Sequence, residues 1–283
     1  MLTIVFCSFH SEKHIIRQIR TLSKDFLIVV VDNSRNAHFK NFIKSKYKNI
    51  KVILPKKNLG LAGAYNLGLK YSLTKFVMLC PADIIINKKT IKRLLKVGEK
   101  IKNFSVLGMA YKDSSRYQNF GVLYEKNKTN LKNVLEVDWI DNSYIVNKKK
   151  IGKKLFDENY FLYFETWDFC RQLQGVYVCQ NIKYVEMGSK SVDLRYSFQI
   201  QLSRAWHYNW SKFYYLKKFN GYFYAFRTSL KYILKYFFEL LLIILNLKKK
   251  NFYVTFAELS GLLNSMFLRK SFYRPFERPK SFF

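Results

Sequence analysis

The sequence predicts an α/β fold, a mostly parallel central sheet covered by helices, with a basic, aromatic-rich helical appendage at its C-terminal end. Three observations carry that prediction. Short continuous apolar runs at 2–7, 26–31, 52–54 and 76–80 are the pattern of strands buried on both faces. The segments between them repeat their apolar residues at helical spacing, and strand alternating with helix implies parallel strands. Beyond Leu202 the composition shifts, and residues 204–283 hold 15 Lys or Arg against 3 acids.

The elements follow in order. Leu2 to Cys7 reads as a buried strand, after which Ser8 or Ser11 caps a helix carrying Ile15, Ile19 and Leu22 on one face. Phe26 to Val31 is a second strand ending in Asp32-Asn33-Ser34, and the next helix places Phe39, Phe42, Ile43 and Tyr47 on one side. Val52 to Leu54 is a third strand. The segment from Asn58 to Asn66 then turns the chain into a helix reaching about Tyr71, and a fourth strand, Phe76 to Cys80, closes with Pro81-Ala82-Asp83. From 104 to 185 the pattern loosens into shorter strands and loops, with an apolar run at Tyr144 to Val146 and an aromatic cluster from Tyr160 to Phe169. The expected organisation is one domain over 1–202, its halves at 1–100 and 101–202, and a helical region over 203–283.

A chain of 283 residues can bury a full core. Its net charge of +31 demands an anionic partner or a solvated surface; nucleic acid, an anionic membrane leaflet and phosphorylated substrates are the physical candidates. No RNP, KH or helix-turn-helix pattern organises the aromatic and basic residues, so nucleic acid is not expected. Cys7, Cys80, Cys170 and Cys179 are scattered without a CxxC pair, which predicts reduced thiols. At the start of the chain no basic stretch, apolar run and small-residue cleavage site combine, and the expectation is a cytoplasmic protein.

In the appendage, Arg227, Lys231, Lys235 and Glu239 fall every four residues and draw a narrow polar stripe along an otherwise apolar helix. The uncharged stretch from Leu240 to Leu245 is far short of the roughly 20 residues a membrane span needs. Two readings stand: the helix lies in an anionic membrane interface, with Lys248, Lys249 and Lys250 meeting lipid phosphates, or it docks on its own domain or on a second subunit of a homo-oligomer.

Ligands of open α/β sheets bind beyond the carboxyl ends of the strands, and the residues able to do chemistry collect there. Gly60 and Gly63 permit a turn and close backbone approach, Ala62 keeps the first helical turn low, and Asn58 and Asn66 offer amides to hydroxyls; a glycine turn packed for steric reasons fits the same residues. Asp32 either accepts hydrogen bonds from a nucleobase or ribose or forms an Asx turn before the next helix. Asp83 either holds Mg²⁺ or Mn²⁺ against a diphosphate or caps the helix that follows. Glu165 and Asp168 lie three apart among aromatic residues, with Arg171 continuing the face; this suits a general base or a salt-bridged helix start. Arg204 and His207 either face a phosphate or belong to an aromatic-rich packing helix. Gly60-Leu-Ala-Gly63 lacks both the Lys-Ser/Thr of a P-loop and the GxGxxG of a dinucleotide fold, which removes those two classes.

Together these residues resemble the family 2 glycosyltransferases of the GT-A fold, and in particular a rhamnosyltransferase-like bacterial branch, over roughly residues 1–220. Val31-Asp-Asn-Ser34 resembles that family's Val-Asp-Asn-Gly/Ser base-binding site, and Asn58 to Gly68 matches its Asn-x-Gly-x-Ala-x-x-x-Asn-x-Gly segment at every stated position. Phe156-Asp-Glu to Arg171 is similar to its Phe-Asp-Glu block ending in Glu-Asp-x-Asp and Arg. Two positions depart. Pro81-Ala82-Asp83 keeps only the last carboxylate of the metal motif, and Thr166 replaces the aspartate that commonly acts as base, leaving Glu165 first and Asp168 second for that role.

The resemblance implies inverting transfer of a sugar from a nucleoside-diphosphate donor to a glycan or polyprenyl-linked hydroxyl, in cell-surface polysaccharide or lipopolysaccharide assembly on the inner face of the membrane. Ser8, Asp32, Asn33 and Ser34 would hold the nucleoside, Asn58, Gly60, Ala62, Gly63 and Asn66 the donor, and Asp83 a Mg²⁺ or Mn²⁺ ion. The departures at Ala82 and Thr166 also fit a non-catalytic relative that binds nucleotide or glycan as a scaffold.

Overall fold

The computed structural model describes residues 1–112, 118–122, 131–186, 196–246 and 251–274. Each apolar run of the first hundred residues forms a strand: β1 (Leu2–Ser8), β2 (Leu27–Asp32), β3 (Ile50–Ile53) and β4 (Phe76–Pro81). Helices α1 (Glu12–Leu22), α2 (Ala37–Lys46) and α3 (Gly60–Tyr71) connect them. Next come β5 (Ile84–Ile85), α4 (Lys88–Ile101), β6 (Val106–Tyr111) and the short strands β7 (Phe120–Gly121), β8 (Val134–Glu136) and β9 (Trp139–Ile140). β10 (Tyr144–Asn147), α5 (Lys148–Ile151), α6 (Glu165–Arg171) and β11 (Val176–Glu186) follow. The remaining described helices are α7 (Ser197–Asn220), α8 (Tyr222–Ile244) and α9 (Phe252–Met266).

The main sheet runs β3-β2-β1-β4-β10-β6-β11-β5, with β8 also paired to β11. Its first four strands are parallel, and β6 pairs β11 in parallel as well. β10 enters antiparallel between β4 and β6 and knits the two parallel groups together. A two-stranded sheet, β7-β9, stands apart from it.

Burial explains the strand pattern. Leu2, Ile4, Val5 and Phe6 are all within 2% of complete burial, as a strand covered on both faces requires. On α1 the predicted face of Ile15, Ile19 and Leu22 is fully buried; on α2 Phe39 and Ile43 go inward while Phe42 remains 36% exposed. Helix α3 lies so close to β1 that a Cβ at Gly68 would stand 2.2 Å from Val5 Cγ1, so only glycine fits that crossing.

The chain divides into two compact units, one of Met1–Asp157 with Thr166–Asp193, the other of Glu158–Glu165 with Leu194–Phe283. The sheet and its helices make up the first. The second is α7, α8 and α9 with the short aromatic segment; its core joins Phe213, Ala225, Tyr236, Leu259, Leu262 and Met266, beside a smaller group around Trp206 and Trp210.

The predicted polar stripe on α8 does not stay on one exposed side along its whole length. Residues four apart advance about 40° around a helix, so the row winds across the surface. Arg227, Lys231 and Lys235 are exposed, whereas Glu239 has turned inward and is buried. Lys248, Lys249 and Lys250 lie outside the described residues. Among the described residues no helix is long and apolar enough to cross a membrane.

Candidate active site

The carboxyl ends of β1, β2 and β4 form one edge. In the parallel ladders Ser8 stands opposite Asp32 and Cys7 opposite Pro81, so the turn bearing Asp83 leaves the sheet beside Ser8 and Asp32. Asp32 is fully buried. Its Oδ1 accepts from the Ser34 N–H (3.2 Å) and the Ser34 hydroxyl (2.5 Å), and its Oδ2 accepts from the Asn36 N–H (2.9 Å). Burial pushes the Asp32 pKa up and nearby Glu12 adds to this, while the hydrogen bonds from Ser34 and Asn36 work against it. The Asx-turn geometry is therefore present, and Asn36 performs the helix capping, accepting from Phe39 N–H at 3.0 Å. The Ser8 hydroxyl is completely buried and has no hydrogen-bond partner among the described residues.

Asn33 ties this edge to the glycine segment. Its backbone N–H donates to Ser8 O (2.8 Å), its side-chain amide donates to Gly60 O (3.0 Å), and its Oδ1 accepts from Leu59 N–H (3.0 Å). Asn58 Oδ1 accepts from Gly60 N–H at 3.0 Å, and Gly60 adopts a φ of +69°, the left-handed region glycine enters without penalty. Ala62 and Gly63 are buried in the first turn of α3. Asn66, assigned from sequence to ligand hydroxyls, instead pairs with the backbone of Phe156: its amide donates to Phe156 O (2.9 Å) and its Oδ1 accepts from Phe156 N–H (3.0 Å). It anchors the loop that leads toward the aromatic segment.

Asp83 lies half-buried in the turn between β4 and β5. Asn87, not Asp83, caps α4, its Oδ1 accepting from Thr90 N–H at 2.9 Å. Among the described residues no group of three or more His, Cys, Asp or Glu could hold a metal ion. Asp83 brings one hard oxygen donor to this edge.

In the second unit the aromatic segment packs on α7. Leu162 O accepts from the Ser211 hydroxyl at 2.8 Å, and Phe164 meets Tyr215 with ring centroids 5.4 Å apart. Tyr163 and Phe164 adopt φ values of 68° and 63°, two consecutive bulky residues in left-handed backbone immediately before Glu165. Such strain persists only where packing over-determines it, and it clusters at functional sites. Glu165 opens α6 and is 4% exposed. In the first unit, Asp168 is fully buried and accepts from Gln172 Nε2 at 2.7 Å.

Trp167 donates its indole N–H to Asp141 Oδ2 (2.9 Å) and stacks on Trp139 with centroids 3.9 Å apart. Trp139, Asp141 and the left-handed pair were not singled out from sequence. The only available signal was the tryptophan beside the Glu-Thr pair, because one sequence carries no register between distant strands.

His207 is fully buried. Its Nε2 hydrogen-bonds Tyr273 O at 2.8 Å and its Nδ1 lies 3.2 Å from the Ser271 hydroxyl. Burial, helped by the charge of Arg274, pushes its pKa down to about 3, so the ring is neutral at pH 7 and offers no charge to a phosphate. That is the packing role left open above. Arg204 is half-buried on the same helix. A cavity of about 900 Å³ lined by Asn103, Glu136, Lys150, Lys154 and Arg171 opens where β6 and β11 begin, the sheet edge opposite Ser8 and Asp32.

A sheet of this order, parallel strands ending in a buried aspartate and a glycine-led helix with one antiparallel strand inserted, defines the GT-A class of nucleotide-sugar-binding folds. Residues 3–161, more than half of the 283, match the pattern of Glycosyl transferase family 2, and the chain belongs to that family. Among solved structures it is similar to S. aureus TarS 1–349 in complex with UDP (TM-score 0.50, 18% identity), covering 71% of this chain and 63% of that one. It is similar to the mannosyltransferase PcManGT from Pyrobaculum calidifontis in complex with GDP-Man and Mn²⁺ (TM-score 0.55, 11% identity), covering 94% and 86%. HddC from Yersinia pseudotuberculosis is a third (TM-score 0.50, 12% identity), covering 68% and 96%. At these identities the likeness shows the fold alone. No curated protein sequence matches the chain.

Proposed function

We propose that the chain moves a sugar from a nucleoside-diphosphate donor to a hydroxyl of a glycan or polyprenyl-linked acceptor, with inversion, in cell-surface polysaccharide or lipopolysaccharide assembly at the inner face of the membrane. The sugar in this reading is a hexose or a rhamnose-like deoxyhexose. The observation that carries it is the edge where Ser8, Asp32 and the Asn33-tethered glycine segment meet in a family 2 chain. UDP and GDP-Man in the TarS and PcManGT structures support a nucleotide-linked donor.

Residue roles follow from their chemistry. Ser8, with its unspent buried hydroxyl, and the Asp32-Asn33-Ser34 turn take the nucleoside. Asn58, Gly60, Ala62 and Gly63 bring backbone and the start of α3 to the donor's diphosphate, where partial positive charge favours an anion. Asn66 acts through Phe156, as the anchor of its loop. Arg204, a half-buried cation on α7, keeps the phosphate role in this reading. Asp83 would hold Mg²⁺ or Mn²⁺ against the diphosphate; the ion, when bound, neutralises charge on the leaving group.

Glu165 takes the proton from the acceptor hydroxyl. The oxygen then forms a bond to the anomeric carbon from the face opposite the diphosphate, as the bond to the diphosphate oxygen breaks, and the nucleoside diphosphate leaves with that electron pair. Asp168 is the second choice of base; its hydrogen bond from Gln172 already spends one of its oxygens.

Incubation of the purified chain with UDP-, dTDP- and GDP-sugars, with and without Mn²⁺, tests the reading. Donor hydrolysis or transfer is expected, and Glu165→Gln should lower it by about a thousandfold while nucleotide affinity holds. Nucleotide binding without turnover for any donor would leave the scaffold reading standing, and full activity in Glu165→Gln would remove that residue as the base.

A further inference from the structure

α8 carries apolar side chains on both its inner and its outer face. Inward, Ala225, Ser229, Tyr236 and Glu239 are buried against the three-helix core. Outward, Phe223, Leu230, Leu234, Phe237, Phe238 and Leu241 are between 45% and 86% exposed. At 100° per residue these six fall within about 100° of arc, a greasy stripe along the helix interrupted only by Arg227. At one end the Tyr222 hydroxyl donates to Met266 O at 3.3 Å, which brings the exposed Phe267 and Leu268 near the first turn of α8. A stripe of this length exceeds the scattered single apolar residues that monomers normally expose.

Charge decides what covers it. Lys231 and Lys235 are exposed along one flank of the stripe, Arg227 is exposed within it, and the helix's single acid, Glu239, points into the core. A second copy of a chain carrying +31 would bring like charge to like charge, whereas an anionic lipid surface supplies the opposite sign to the flank and a hydrocarbon boundary to the stripe. Since no described helix can cross a bilayer, the helix would lie along the surface.

We propose that the outward face of α8 docks on an anionic membrane leaflet, Phe223 to Leu241 entering the headgroup boundary and Arg227, Lys231 and Lys235 resting on lipid phosphates. Its biological sense rests on the lipid-linked acceptor reading, but its test reads binding and not turnover, so the two fail separately.

The test is sedimentation of the full chain with vesicles of phosphatidylcholine alone or mixed with phosphatidylglycerol, at low and high salt. Sedimentation with the anionic vesicles is expected. Leu234→Asp with Phe238→Asp should lower vesicle partitioning about a hundredfold. Lys231→Gln with Lys235→Gln should lower it about fivefold for each cation removed, and only on anionic vesicles. All four side chains are exposed, so circular dichroism melts of both variants should match wild type; a variant that melts early is replaced by Leu230→Asp with Leu241→Asp. Failure of the wild-type chain to sediment, equal sedimentation of the aspartate variants, or a dimer that those variants split without any vesicle binding each overturns the proposal.

Discussion

Asn66 and Phe156, ninety residues apart, are joined by both ends of one amide: Asn66 donates to Phe156 O at 2.9 Å and accepts from Phe156 N–H at 3.0 Å. The pair imitates a rung of β-ladder without a strand. It couples the second turn of α3 to the loop that carries the chain toward the aromatic segment and Glu165, and Tyr65 reinforces the joint by packing on the Phe156 ring with centroids 5.5 Å apart.

Asn66→Ala would leave a buried N–H and a buried carbonyl without partners. The expected cost is about 2–4 kcal/mol, read as a lower urea midpoint at unchanged slope. An unchanged midpoint would mean that the loop is held by other contacts.

Gly68→Ala introduces a Cβ where Val5 Cγ1 stands 2.2 Å away. Overpacking of this kind costs about 1–3 kcal/mol. Val5→Ala vacates the clash, so the double variant should lose less than the sum of the two single changes. Strict additivity in the double-mutant cycle would show that α3 shifts freely on β1.

Asp83→Asn separates the metal role from the fold. The proposed arrangement predicts nucleotide binding about tenfold weaker in the presence of Mn²⁺, with no change in its absence, by isothermal titration. The urea midpoint should stay within error, because Asn87 and not Asp83 caps α4. Equal Mn²⁺ enhancement in wild type and variant would take Asp83 out of the metal site.

His207 sets an acid limit on stability. Its pKa falls from 6.5 to about 3 on burial, so below pH 6.5 the unfolded chain binds a proton that the folded chain refuses. The contribution is therefore complete above the unfolded value and is lost as the pH falls from 6.5 toward 3, at about 1.4 kcal/mol per pH unit for one proton. Urea titrations from neutral pH downward should show this slope, and His207→Gln should be less steep by one proton. A variant as acid-sensitive as wild type would show that the ring protonates in place.

The first four strands, their order along the chain and the run that forms β10 were legible because each is a short apolar run, a signal contained in a few consecutive positions. The same holds for the glycine segment: its turn needs the left-handed φ at Gly60 and its helix needs a bare surface at Gly68. Asp32 was legible as a turn residue at a strand end. Asn66 was visible as a polar residue at a regular spacing, yet its hydrogen-bonding partner lies ninety residues on and leaves no local trace. On α8 the four-residue charge spacing suggested one narrow polar stripe that included Glu239, because sequence shows spacing but not which side of a helix the core occupies; burial of Glu239 revealed that side.

By itself the sequence determined which segments of the first hundred residues extend and coil, and which polar residues stand at their strand ends, since backbone preference and apolar period act over a handful of neighbours. Only the tertiary structure decided that β10 inserts antiparallel between β4 and β6, that the two amide ends of Asn66 close on Phe156, and that His207 is neutral. Those outcomes depend on which distant surfaces exclude water together, and that choice is made by the packed whole.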